Sequence, residues 1–293
     1  MIKYILKGAK NHPLYPDNTF RIIRNILIWQ IQSRIFPKKI FRKKFIGSTF
    51  LFVKKGMNGA TGNLYYGLHD FTEMSFLLHF LKPQDLFIDV GANIGSYTVL
   101  ASGVAKCTSV SFEPHPVTFS YLKNNVKNNG LAPLVTLHNL AVGSKMGFVS
   151  FTKEHDTINH IVSSKTEEKV IQVKVNSLDS VVVLDKPTII KIDVEGYELE
   201  VIKGSINTLK SNYCIGVILE INGSNNKYGY KDSSLVKVLN ELEFKPYHYD
   251  PFQRVLTSCI INEAQNYIFI KDFKFVQKRL KNGLKIKLFN NFY

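Results

Sequence analysis

The sequence predicts an α/β fold built on an open, mostly parallel sheet. Two observations carry that prediction. From about residue 61, short apolar runs alternate with helical stretches of roughly ten to fifteen residues, the rhythm of βαβ units. The first apolar run also closes on a glycine turn that opens directly into a helix. In open sheets of this class ligands sit beyond the carboxyl ends of the strands, so the chemistry is expected there.

The elements follow in order. Residues 86–90 form the first strand, followed by the Gly91 to Gly95 turn and a helix to about residue 106. A strand at 109–112 leads to a helix that ends before Gly130, and 134–137 is the third strand. Residues 148–151 and 170–175 alternate at period two, which predicts an inserted hairpin. A fourth core strand at 188–192 precedes a helix over 197–209. A fifth at 215–219 precedes a helix over 233–242, and strands at 245–249 and 267–270 close the sheet.

Composition narrows the class. The 293 residues are 45% hydrophobic and 21% charged, which excludes general disorder. Cys107, Cys214 and Cys259 are widely spaced with no CxxC, against a disulfide framework or structural zinc and in keeping with a reducing compartment. No apolar run approaches the ~20 residues of a membrane span, and lysines at 3, 7 and 10 interrupt any signal-peptide core. Cytoplasmic location is the expectation.

The net charge of +15 is uneven. Residues 1–60 hold 13 basic side chains and one acid, and residues 271–293 hold seven and one; the stretch between is slightly acidic. The expected organisation is a basic helical extension (1–60), a catalytic domain (61–270) and a basic tail (271–293). In the extension, Asp17, Asn18 and Thr19 offer N-caps to a helix over 20–36 that Pro37 ends. Five cations follow within residues 38–44. Basic ends on a near-neutral body point to an anionic partner, with peripheral contact to the inner membrane face as one expectation.

Three segments carry the chemistry. In Asp89-Val90-Gly91-Ala92-Asn93-Ile94-Gly95-Ser96-Tyr97-Thr98, an acid ends the first strand before a Gly-x-x-x-Gly turn. The pattern is not Gly-x-Gly-x-x-Gly, and an acid aimed into the turn disfavours a pyrophosphate while suiting a cation such as a sulfonium amino acid. Glu113 ends the second strand before Pro114, where a carboxylate accepts the hydroxyls of a ribose. In Lys191-Ile192-Asp193-Val194-Glu195, three ionisable groups alternate at the end of an apolar strand. Extended chain would put them on one face, and burial demands that they be paired or face a cleft. Glu220 ends the fifth strand at the same edge.

These motifs, in this order and spacing, with Phe112-Glu113-Pro114 and Leu219-Glu220-Ile221, resemble the FkbM family of S-adenosylmethionine (SAM)-dependent methyltransferases over roughly residues 60 to 250. The resemblance implies a class I methyltransferase fold, a Rossmann-like sheet of seven mostly parallel strands with helices on both faces. It also implies O-methylation, often of sugars in polysaccharides, glycolipids or natural products. Carried over by position, Asp89, Gly91, Ala92, Asn93, Gly95, Tyr97 and Thr98 are expected to line the SAM site, with Glu113 and Pro114 at the ribose. Asn139 and Ala141 are expected beside the adenine, and Glu73 matches the family's acid before the first strand.

For methyl transfer to a hydroxyl, Asp193 is the expected general base, or a ligand with Glu195 and Glu220 of a divalent cation that acidifies the hydroxyl. Lys191 belongs to the same expected catalytic group, against the plainer reading of a structural Lys–Asp pair. His155 and His160 lie in a polar insertion that would cap the cleft, where an imidazole can serve as base. The expected acceptor is a carbohydrate or glycolipid. A ribose 2′-O-methyltransferase acting on RNA is the alternative, favoured by the basic ends. Against it, no second lysine stands at a comparable strand end beside Asp193.

Overall fold

The computed structural model describes residues 2–152, 161–162, 169–262 and 264–293. The chain opens with α1 (Ile2–Ala9), α2 (Tyr15–Ile35), the hairpin β1 (Phe41–Lys44) and β2 (Phe50–Val53), then α3 (Asn58–Tyr66) and α4 (Phe71–Phe80). The first half of the core sheet follows as β3 (Leu86–Val90), α5 (Ser96–Val99), β4 (Thr108–Phe112), α6 (Pro116–Asn128) and β5 (Val135–His138). A small second sheet is made by β6 (Ala141–Val142), β7 (Gly147–Thr152), β8 (Ile161–Val162) and β9 (Val170–Asn176). After α7 (Leu178–Val181) come β10 (Thr188–Ile192), α8 (Glu198–Lys203), α9 (Ile206–Lys210), β11 (Cys214–Ile221) and α10 (Asp232–Glu241). The chain closes with β12 (Lys245–Asp250), β13 (Val255–Ser258), β14 (Gln265–Ile270), α11 (Phe273–Lys281), β15 (Lys287–Leu288) and β16 (Asn291–Phe292).

The core sheet runs β13-β12-β14-β11-β10-β3-β4-β5. Its five strands from β11 to β5 are parallel, while β14 and β12 join antiparallel. The order reverses between β3 and β10, which enter the sheet from opposite halves of the chain and pair Asp89 with Lys191. A crevice at such a switch point is where this sheet class binds ligands. The sheet has eight strands, one more than the seven the resemblance implied. The eighth, β13, exists because the Asp250 carboxylate accepts the N–H groups of Phe252 and Gln253 and Arg254 turns at φ 56°, folding the chain back onto β12.

Side chains alternate between two fully covered faces. Phe87, Ile189, Ile218 and Ile268 pack with Phe76 and Phe80 of α4 on one side. Ile88, Ile190, Val217 and Phe269 pack with Leu199, Ile202 and Leu239 on the other. Each such burial stabilises by roughly 1.5–3 kcal/mol. The predicted hairpin forms as β7 and β9, paired antiparallel from Gly147–Val175 to Thr152–Val170.

Three predicted helices differ from expectation. α2 starts at Tyr15, and Asn18 bends it (φ −130°) by donating its amide to the Leu14 carbonyl instead of capping. The helix after Gly95 is a single α-turn that widens into a π-turn over Leu100–Val104. The helix over 197–209 breaks at Gly204 and Ser205, because the Asp179 carboxylate takes the N–H groups of Asn207 and Thr208 and caps α9 as a separate helix.

Both basic ends pack onto this body. Ile22, Ile26 and Trp29 of α2 share a cluster with Val99, Leu122 and Val126. Asn125 of α6 and its C-cap Asn129 accept the backbone N–H groups of Phe52 and Phe50. At the other end the Arg254 guanidinium donates to the carbonyls of Gly283, Leu284 and Tyr293, and Arg279 pairs with the fully buried Asp85. Among the described residues no helix is long and apolar enough to cross a membrane.

Candidate active site

A cleft of about 360 Å³ opens at the carboxyl ends of β3, β4, β10 and β11. Its walls bring together Gly91, Ala92, Asn93, Tyr97, Glu113, Pro114 and Ala141 with Lys191, Asp193, Glu195 and Glu220. The volume falls within the range of small-molecule sites.

At the β3–β4 end the turn is held by backbone bonds. The N–H groups of Gly91 and Ala92 both donate to the Phe112 carbonyl, and Asn93 adopts φ 52°. The N–H of Asn93 then meets Glu113 Oε2 at 3.0 Å, while the N–H of His115 meets Oε1 at 2.9 Å. Burial pushes the Glu113 carboxyl up to about 7 against the pull of these two bonds. Each oxygen retains a lone pair for a second donor, so the group fits a ribose diol.

Some expected residues stand behind the wall. Asp89 accepts the Thr98 hydroxyl at 2.7 Å, and Thr98 reaches Ser111 at the same distance, all three buried. Among the described residues the other Asp89 oxygen has no hydrogen-bond partner. Gly95 is the left-handed N-cap of α5. Asn139 ties the end of β5 to β4 by donating to the carbonyls of Glu113 and Pro114, leaving its neighbours Leu140 and Ala141 on the wall. Glu73 lies beneath Asp70 and Lys191, its carboxyl pushed up to about 8 by burial and by Asp70.

The opposite end is acidic. Lys191 Nζ donates to Asp193 Oδ2 at 2.8 Å and stands 4.8 Å from the centre of the Tyr97 ring. Burial pulls the Lys191 ammonium down, but Asp193 and Asp89 outweigh it and the net shift is upward. The expected alternation holds only from Lys191 to Asp193. β10 ends at Ile192, and Glu195 turns at φ 58°. Glu195 nonetheless reaches the cleft, and burial with Asp193 beside it pushes its carboxyl up to about 7. Glu220 is raised to about 7 by burial, then by Asp193 and Glu195.

Several site residues escaped the sequence reading. Asp70 lines the cleft and accepts the Tyr97 hydroxyl at 3.0 Å. Its signal was an acid just ahead of a helix, in the same run that drew attention to Glu73. Glu198 fixes the turn after Asp193 by accepting the N–H groups of Val194 and Gly196. Asn266 on β14 lies opposite Glu220 in register and lines the cleft. No local pattern marks it, because only sheet pairing brings it there. His155 and His160 lie outside the described residues.

The divalent-cation expectation finds no donor set. Among the described residues no three His, Cys, Asp or Glu side chains are grouped to hold a metal ion, and Asp193 already accepts Lys191.

A family model for the methyltransferase FkbM domain matches residues 89–249. The chain belongs to the FkbM methyltransferase family. It is 32% identical over 168 residues to the hexuronic acid methyltransferase AglP of Haloferax volcanii, covering 56% of this chain and 65% of that protein. It is 28% identical over 148 residues to Methyltransferase 1 of Beauveria bassiana, covering 42% of this chain and 59% of that one. The chain thus spans less than two thirds of either relative. Among solved structures, the methyltransferase FkbM of Methylobacillus flagellatus aligns over 85% of this chain and 59% of its own, with TM-score 0.44 and 16% identity. The FkbM match begins at Asp89 and includes Glu113, Lys191, Asp193, Glu195 and Glu220, so one wall of the cleft after another comes from the matched segment.

Proposed function

We propose that this FkbM protein is a SAM-dependent O-methyltransferase that acts in the cytoplasm on a hydroxyl of a carbohydrate, whether polysaccharide, glycolipid or sugar precursor. One observation carries the reading: a single cleft joins Asn93 and Glu113 at one end to Lys191 and Asp193 at the other. The first pair suits an adenosine ribose, and the second suits a hydroxyl that must lose its proton. The sugar class is supported by the 32% identity to a hexuronic acid methyltransferase.

SAM, when bound, supplies a methyl group already activated by its sulfonium. The chain has then to align the acceptor oxygen and remove one proton. Asp193 would accept the proton that the acceptor hydroxyl gives up. Lys191, paired with Asp193 and backed by Asp89, fixes the carboxylate and keeps it from turning toward solvent. Glu195, Glu220 and Asn266 face the acceptor side, where carboxyl and amide groups suit sugar hydroxyls. Glu113 receives the ribose hydroxyls, and Leu140, Ala141 and Pro114 supply an apolar wall for the base.

The test is transfer of labelled methyl from SAM into an extract of the source cells, separated into glycan, small-molecule, RNA and protein fractions. Asp193→Asn serves as the blank. Label in glycan or sugar, lost in the variant, is the expected result. Label confined to RNA replaces the sugar with a ribose 2′-hydroxyl as acceptor.

A further inference from the structure

The outward face of α2 carries an apolar ridge that no described residue covers. Phe20, Leu27, Ile28, Ile31 and Ile35 are exposed, Phe20 by 79%, Ile31 by 56% and Ile35 by 61%. At about 100° per residue their side chains fall within one arc of roughly 100°. The opposite arc holds Ile22, Ile26 and Trp29, which dock on the core. Packing therefore uses one side of the helix and leaves a second apolar side in solvent. Phe36 and Ile40, just past the helix end, are also exposed, by 50% and 47%.

Cations frame this ridge. Arg24 lies within it, Arg21 and Arg34 flank it, and Lys38, Lys39, Arg42 and Lys44 follow. No acidic residue occurs between Asp17 and Asp70. Among the described residues none of these cations forms a salt bridge. An apolar ridge edged by unneutralised cations matches the boundary of an anionic bilayer, where aliphatic groups enter the acyl region and cations meet headgroups. We infer that the outer face of α2 is a peripheral docking surface for anionic lipid membranes.

The surface lies one helix away from the cleft. α2 rests on α3 through Asn25, which donates to the Tyr65 carbonyl, and Gln30, which donates to the Tyr65 hydroxyl. Gly59 of α3 lines the cleft. A docked α2 thus holds the site one helix layer from the lipid, on the order of 10 Å. The inference does not depend on the methyl acceptor, since docking is read without turnover.

The test is co-sedimentation of the full chain with vesicles of phosphatidylcholine alone or mixed with phosphatidylglycerol. The expected result is binding to the mixed vesicles only, weakened by salt. Ile31→Ser/Ile35→Ser should reduce it at least about tenfold while circular dichroism and melting temperature stay unchanged, since both side chains are exposed. No binding at low salt overturns the inference. So does undiminished binding by that variant, which would leave charge alone responsible. Sedimentation velocity provides the remaining arm: a dimer of the wild-type chain that the variant abolishes assigns the ridge to a second copy instead of lipid.

Discussion

A Cβ placed on Gly91 would stand 1.8 Å from the backbone carbonyl oxygen of Asp193. The N–H of Asp193 in turn donates to the Val90 carbonyl at 3.1 Å. The glycine turn and the strand end that carries the expected base are therefore one packed unit. Gly91, expected from the sequence to line the cofactor site, lies on the cleft wall and also makes room for the neighbouring strand.

Gly91→Ala should consequently cost more than a loop substitution. It adds a Cβ at φ 81° and forces the Asp193 segment outward. The expected loss is about 3 kcal/mol or more in urea unfolding, with turnover falling further than stability because Asp193 moves. A variant with wild-type unfolding would show that the turn yields.

Asp193→Asn removes the proposed proton acceptor while keeping the shape of the pair with Lys191. Turnover should fall by about 10²–10⁴-fold. Affinity for S-adenosylhomocysteine, measured by calorimetry, should change little, because Glu113 and the Gly91 turn remain. Full turnover in that variant would move the proton to another group.

With Glu113 as the proposed ribose ligand, its carboxyl, raised to about 7 by burial, should give cofactor affinity a pH dependence near neutrality. The ionised form accepts two hydroxyl donors and the protonated form loses acceptor capacity. S-adenosylhomocysteine should bind more weakly as pH falls from 8 to 6, and Glu113→Gln should flatten the profile. A pH-independent wild-type Kd would place the ribose elsewhere.

Stability should move the other way. Glu73 is raised to about 8, and Glu113, Glu195 and Glu220 to about 7, so the folded chain binds more protons than the unfolded one through that range. Stability then declines as pH rises toward 8. His12 and His79, lowered to about 4 by burial, oppose this only below their ordinary value of 6.5. The melting temperature of the ligand-free chain should fall by a few degrees between pH 6.5 and 8.5. A flat or rising curve by scanning calorimetry would contradict it.

Asp85 and Arg279 join α11 to the core in a fully buried pair in which Asp85 also takes the Lys82 N–H at 2.8 Å. Arg279→Met strands that charge and should cost about 3–5 kcal/mol. Asp85→Asn in the same chain should recover a large part. Thermal unfolding of the single and double variants measures both, and simple additivity would mean the two side chains act separately.

Local pattern carried far in this chain. The apolar runs with their glycine turn, the acids at the ends of β3, β4, β10 and β11, and the period-two stretches of β7 and β9 were all legible, because hydrophobic period and turn chemistry are encoded within a few neighbours. Tertiary structure decided the rest. Asn266 and Asp70 enter the cleft through strand register and helix packing between residues far apart in sequence. Asp179 splits a helix from nearly thirty residues away, and Asp89, which reads as a cleft residue, is drawn behind the wall by Thr98 and Ser111. The helix α2, apolar around most of its circumference, could be read equally as docked or exposed; packing buries one of its faces and leaves the other to solvent. Sequence fixes which groups are available and how each segment folds locally. Which of them meet depends on long-range burial, where a strand order or a helix contact is settled by many side chains at once and by no single motif.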